Sequence, residues 1–185
     1  MVSPTLGYGM NGVIWYQGKS NAGRAWEYRS LFPYMIEQWR AEWGQGDFPF
    51  YWVQLADYKD EVSEPGDAQW AELRESQTRT LSLPNTGEAV IIDIGEANDI
   101  HPKNKQEVGR RLALWALTKT YGKKVGEYSG PLFDDARARD GKIELRFDHA
   151  DSGLKSRDGK PLTHFTIAGA DQKFVSAKAE IVGRK

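Results

Sequence analysis

The chain has 185 residues, 39% hydrophobic and 28% charged, with 25 Lys plus Arg against 26 Asp plus Glu. That is room for one good core and a small appendage, and the balanced charge offers no field for nucleic acid or an anionic membrane. Cysteine is absent, which excludes disulfides, thiolate zinc sites and cysteine nucleophiles together, and no apolar run reaches the roughly 20 residues of a membrane-spanning helix.

Met1 to Met10 lack the basic flank and long apolar stretch of a signal peptide, and localisation is left open. Val13–Gln17 reads as a short β-strand ending at Gly18. A turn-rich stretch follows, and Ser30 is placed to cap a helix running to Trp43, with Pro33 tolerated in its first turn. Leu31, Met35 and Trp39, flanked by Phe32, Ile36 and Trp43, give that helix a broad apolar face, and Gly44 stops it. Phe50–Leu55 is a second strand. After a polar loop, Asp67 is expected to cap a helix with Trp70, Leu73 and Leu81 on one side. Ala89–Ile94 is a third strand, whose Val90-Ile91-Ile92 run suggests burial on both faces. The loop Gly95–Pro102 leads to a helix from about Asn104 to Tyr121.

Beyond Tyr128 no helix is expected. Ile143, Leu145 and Phe147 alternate with Glu144 and Arg146 as in a half-buried strand. Asp158-Gly159 is a hairpin signal, and Phe165–Ala168, Lys173–Ala177 and Glu180–Val182 are further short strands. Residues 1–124 thus read as three β-then-α units on a parallel sheet, and 125–185 as a small β-rich region. Seven tryptophans are expected mainly in the core, with one or two available to stack on a sugar.

Ligands of parallel sheets sit at the C-terminal ends of the strands. Two unusual segments fall there. In Asn98-Asp99-Ile100-His101-Pro102, a histidine two residues from a carboxylate fits a general base with an orienting acid; the same segment also reads as a helix-entry loop capped by Asp99. In Gln17-Gly18-Lys19-Ser20-Asn21-Ala22, Gly18 permits close backbone approach, Gln17 and Asn21 offer amide donors for an oxyanion, and Ser20 is a conceivable nucleophile with nothing local to activate it. The alternative is a polar turn. His149 and His164 lack any such context and read as structural.

Together these segments resemble the sialate O-acetylesterases, carbohydrate esterases of the SGNH-hydrolase superfamily. The carriers are Gly12-Val13-Ile14-Trp15-Tyr16-Gln17-Gly18 with Ser20-Asn21-Ala22, Val53-Gln54-Leu55-Ala56, Trp70 to Gln77, and Asp99-Ile100-His101-Pro102-Lys103-Asn104-Lys105. The resemblance implies His101 as catalytic base, Asp99 or Asp93 as its acid, Gln17, Gly18 and Asn21 near the oxyanion, and no metal or organic cofactor. It also implies a flavodoxin-like parallel sheet ordered 2-1-3-4-5, of which this chain carries the last three strands. The family's nucleophilic serine lies in an upstream Gly-Gln-Ser-Asn block that this sequence does not contain, and Lys19 stands where the family has Glu. Those departures lead to three expectations. The strand at 13–17 becomes an edge that pairs in a homo-oligomer or with a separate N-terminal half. The chain is a carbohydrate hydrolase, residual or repurposed, using His101, Asp99 and Ser20, or a glycosidase-like pair of Glu96 and Asp99. Otherwise it is a non-catalytic sugar-binding or partner-dependent fragment.

Overall fold

The structure, a computed structural model, describes residues 3–183. It divides into two compact units, one of residues 3–60 and 68–128, the other of 61–67 and 129–183. The first unit is built on a three-stranded parallel sheet: β1 (Val13–Trp15), β2 (Phe50–Val53) and β3 (Thr86–Ala89), in that order. Three helices accompany it: α1 (Ala25–Trp43), α2 (Gln69–Arg79) and α3 (Lys105–Trp115), the last continuing into a π-helical turn at Ala116–Thr120. Among the described residues no helix is long and apolar enough to cross a membrane.

β2 is central and all four of its residues are buried. Phe50 and Trp52 meet Phe32 of α1, with the Phe32 and Trp52 rings edge-on at 5.2 Å. Trp52 and Trp115 are buried; Trp15, Trp39, Trp43 and Trp70 pack against the core, while Trp26 is 75% exposed on the outside of α1.

Several expectations are corrected. α1 starts at Ala25, not at Ser30, because a 3-10 helix over Lys19–Arg24 delivers the chain directly into it, without a side-chain cap. Pro33 therefore lies inside the helix, where it withholds one backbone donor. The buried line is Ala25, Tyr28, Phe32, Ile36 and Arg40, and Leu31 faces outward. α2 begins after Ala68, with no side-chain cap from Asp67.

The largest correction is β3. It is Thr86-Gly87-Glu88-Ala89, not Ala89–Ile94. Register with β2 decides this: Phe50 lies opposite Thr86 and Val53 opposite Ala89, so the pairing ends where β2 ends. Packing agrees, since any Cβ on Gly87 would overlap the Trp115 ring and come within 2.8 Å of Tyr51. Cross-strand fit outweighs the poor strand propensity of Gly and Glu. In the Val90-Ile91-Ile92 run that follows, Ile91 is buried and Ile92 is exposed.

The second unit contains two antiparallel hairpins, β4 (Leu132–Arg139) with β5 (Lys142–Asp148), and β6 (Leu162–Ala168) with β7 (Phe174–Ala179). The expected alternation in β5 is not seen: Leu145, Arg146 and Phe147 are all half-buried and Ile143 is exposed. Arg146 donates to Asp134 at 2.9 Å. Asp158-Gly159 forms a turn ahead of β6 and joins no two strands, because Asp158 spends its carboxylate on Ser156 and the Lys160 N–H. Glu180–Val182 is not a strand.

Candidate active site

The chain leaves β1 at Trp15 and turns at Gly18, which has φ 143°. The dihedral favours glycine there, and a Cβ would also stand a tight 3.2 Å from Gln77 Nε2. Gln77, fully buried on α2, bridges the ends of β1 and β2 as they part. Its Oε1 accepts the Leu55 N–H at 3.0 Å, and its Nε2 donates to Gln17 O at 3.1 Å and more weakly to Val53 O at 3.4 Å. The backbone carrying Gln17 is thus held by a side chain that replaces missing sheet pairing.

The Gln17 side chain is fixed in turn. Its Nε2 donates to Asn21 Oδ1 at 2.7 Å, and its Oε1 accepts from the Tyr28 hydroxyl at 3.0 Å. Burial pushes that hydroxyl up to about 12, so it remains a donor. The Gly18 carbonyl closes the turn by accepting the Asn21 N–H at 2.8 Å. Gln17 and Asn21 therefore form one rigid amide pair, in which Asn21 turns its oxygen inward and keeps its NH₂ for another acceptor.

On the other side, the loop after β3 is anchored by Asp57, whose carboxylate accepts the Gly95 N–H at 2.6 Å. Gly95 has no alternative, because a Cβ there would overlap Asp57. Asp99 Oδ1 accepts the backbone N–H of His101 at 2.8 Å and lies 3.6 Å from the ring Nδ1. That second distance is an electrostatic contact, longer than a hydrogen bond. Pro102 is buried immediately after, and Asn104 Oδ1 caps α3 by accepting the Glu107 N–H at 3.1 Å. The His101 ring is thereby carried on a fixed helix entry, with its side chain 68% exposed.

The two candidate acids differ in position. Asp93 accepts both Nη atoms of Arg111, the Nη2 bond being 2.8 Å. Asp93 and Glu107 together hold the Arg111 proton above its ordinary range, the hydrogen bond that Arg111 donates to Asp93 being the largest cause. Arg110 and then Arg111 pull Glu107 down to about 2. Asp99 is the carboxylate beside the histidine. Glu96 lies 2.7 Å from Lys103 Nζ, which occupies the side chain named for a glycosidase pair.

A cavity of about 320 Å³ lies between the two loops, lined by Tyr16, Gln17, Gly18, Lys19, Ser20, His101 and Lys105. It brings together five of the residues named from sequence. Asn21 joins through Gln17, Asp99 adjoins His101, and Glu96 is turned to Lys103. Tyr16, Tyr28, Gln77 and Lys105 were not assigned roles from sequence. Three of them lie inside the matching blocks, but nothing in spacing says that Gln77 reaches Gln17 across 60 residues. Among the described residues, no group of three or more His, Asp or Glu side chains is placed to hold a metal ion.

A histidine and a rigid amide pair thus lie at the C-terminal ends of a parallel sheet, where the ligands of such sheets bind. Comparison with known proteins makes this specific. The chain belongs to the carbohydrate esterase, sialic acid-specific acetylesterase family, whose model matches residues 3–118. It is 36% identical over 168 residues to the sialate O-acetylesterase of Mus musculus, covering 80% of this chain and 31% of that protein. It is 34% identical over 150 residues to the sialate O-acetylesterase of Homo sapiens, covering 71% and 28%. The crystal structure of a novel carbohydrate acetylesterase from Xanthomonas citri superposes with a TM-score of 0.91 at 49% identity, over all of this chain and 42% of that one. The chain thus spans about a third of the length of the curated relatives it matches.

Proposed function

We propose that this chain carries the base and oxyanion side of a site that removes acetyl groups from O-acetylated sugars, on the C-terminal strands of an SGNH-type sheet. The observation that carries the reading is the shared cavity: His101 from the loop after β3 and Gln17 to Ser20 from the loop after β1 line the same space. His101 takes the proton of an attacking hydroxyl as its oxygen adds to the acetyl carbonyl. Asp99, 3.6 Å from Nδ1, favours the imidazolium that forms and orients the ring as charge develops. The oxyanion is held by amide donors of the Gln17–Asn21 pair and the Gly18 turn. The proton then passes to the sugar oxygen as the carbon–oxygen bond breaks, and water repeats the attack to release acetate.

Ser20 is the serine among the residues lining the cavity, and it is exposed. The test is acetate release from an aryl acetate and an O-acetylated sugar by the purified chain, His101→Ala and Ser20→Ala. Loss of about 10²-fold or more in His101→Ala is expected for a general base. Loss in Ser20→Ala as well makes Ser20 the nucleophile, and survival in that variant assigns the attack to another hydroxyl or to water. Release that is indifferent to His101 overturns the reading.

A further inference from the structure

His101 is placed by its backbone rather than by its ring. The side chain is 68% exposed, and the Asp99 carboxylate beside it stands 3.6 Å from Nδ1, beyond hydrogen-bond reach. The one hydrogen bond that ties this residue to Asp99 comes from the backbone N–H, at 2.8 Å. Where the imidazole sits therefore depends on what holds residues 95–101.

The segment that follows β2 holds them. Asp57 accepts the Gly95 N–H at 2.6 Å, and the Lys59 N–H donates to Ala97 O at 2.9 Å. Within the loop, the Asp99 N–H donates to Glu96 O at 3.2 Å, which carries the restraint on to the residue that accepts from His101. Lys59 has φ 71°, a conformation that costs a residue other than glycine and persists where surrounding contacts enforce it. The segment hangs in turn on α2. The Leu55 N–H meets Gln77 Oε1 at 3.0 Å, and Trp70 Nε1 donates to Ala56 O at 2.6 Å, with its ring centroid 5.2 Å from that of Tyr58. Gln77 also holds Gln17 O, so α2 carries both sides of the cavity: the amide side through Gln77, and the histidine side through Trp70 and then Asp57.

We propose that Trp70 and Asp57 are positioning residues for the proton transfer at His101, acting in series through Ala56 and Gly95. They take no part in bond making; they fix the backbone from which the imidazole projects. This rests on the deacetylase reading for its effect on turnover, but not for its effect on the loop.

The experiment compares the purified chain with four variants. Asp57→Ala removes the acceptor for Gly95, and Asp57→Asn keeps an oxygen there. Trp70→Phe keeps an aromatic ring and loses the donor, and the fourth variant combines Asp57→Ala with Trp70→Phe. Acetate release from an aryl acetate gives kcat and KM, while backbone amide hydrogen exchange follows the loop and needs no turnover. A fall in kcat of about 10²-fold in Asp57→Ala and about tenfold in Trp70→Phe is expected for a misplaced base. KM should stay within about twofold, since the restraint acts on the transition state, and Asp57→Asn should recover most of kcat. Two links in series release the same loop, so the double variant should lose little more than Asp57→Ala alone. In Asp57→Ala the Gly95 and His101 amides should lose protection, while those of Phe50 and Gln54, which donate to Asn85 and Ala89 across the sheet, keep theirs. In the unmodified chain the Lys59, Gly95 and His101 amides should open together, as one cooperative unit.

A loop that responds in this way in a chain that turns over no ester would defeat the deacetylase reading and leave the joint between the two loops standing. Unchanged kcat in either single variant of an active chain, losses that multiply in the double variant, or no recovery in Asp57→Asn would overturn the inference. So would independent opening of the three amides, or a loss of protection that spreads to Phe50 and Gln54.

Discussion

Trp52 and Phe133 are both aromatic residues of β-strands, and the two units use them in opposite ways. Trp52 is fully buried on β2, edge-on to Phe32, with its indole N–H on Glu88 at 2.9 Å. Phe133 is 60% exposed on β4 and meets Phe147 at 6.4 Å. In the first unit, side chains from helices and strands interlock over a parallel sheet that local hydrogen bonding alone would not select. In the second, the strands are held by their own ladders; Phe174, Val175 and Ile143 are exposed, and Ala150 is its buried hydrophobic residue among those described. Alternating hydrophobicity says which face of a strand a residue occupies, not that the face is covered. The comparison explains why the residues lining the candidate cavity belong to the first unit: a catalytic geometry needs backbone that packing has already fixed.

That contrast is open to direct attack. Trp52→Ala should cost about 4 kcal/mol, as the loss of a buried aromatic with its cavity does. Phe133→Ala should cost about 0.5 kcal/mol, the range of an exposed position. Urea unfolding of the two variants measures both, and equal losses would break the distinction.

Glu88 offers a sharper version, because a carboxylate buried in the first unit must show itself in pH. Burial raises it from its ordinary 4.5 to about 7, against the hydrogen bonds from Trp52, Thr78 and Gln54. Between those two values the folded chain keeps a proton that the unfolded chain has lost. The favourable contribution is therefore fully present below 4.5 and is lost as pH rises through 7. The loss should be about 3 kcal/mol, read as a falling urea midpoint from pH 4.5 to pH 8. Glu88→Gln should flatten that profile, and an unchanged slope in the variant would assign the dependence elsewhere.

The smallest expected effect is at the edge of the packed region. Asn104→Ala removes the cap of α3 and should cost about 1 kcal/mol. Because that cap follows His101 closely, the proposed acetate release should fall with it, and Asn104→Asp should restore both.

Legibility in the sequence follows the same divide. The end of α1 was readable, since Gly44 has φ 63° and returns its N–H to Arg40. So were β2 and the Asn104 start of α3, each being written in its own residues. β3 was not, because Thr86-Gly87-Glu88-Ala89 is a strand only by virtue of Phe50–Val53 beside it and Trp115 above Gly87. For the site, the two loops and His101 were visible as chemistry-bearing segments at strand ends. The pairing of Asp93 with Arg111, well along the chain, was not. Lys105 was visible only as the last residue of the histidine block, because its approach to the Tyr16 ring beside Lys19 is made through space.

At the end of the sheet opposite the candidate site, a buried guanidinium joins the approaches to β2 and β3. Arg40, 6% exposed, donates to Phe48 O at 2.8 Å and Pro84 O at 2.7 Å, with Asp47 at 3.7 Å. Its two contacts differ in the loop each closes: Phe48 lies 8 residues away and Pro84 44, so the second carries the larger loop-closure entropy. A lysine has one point charge to place where the planar fork serves two entries at once. The adjacency of β2 and β3 is thus tied by a helix side chain at the end of the sheet away from the candidate site.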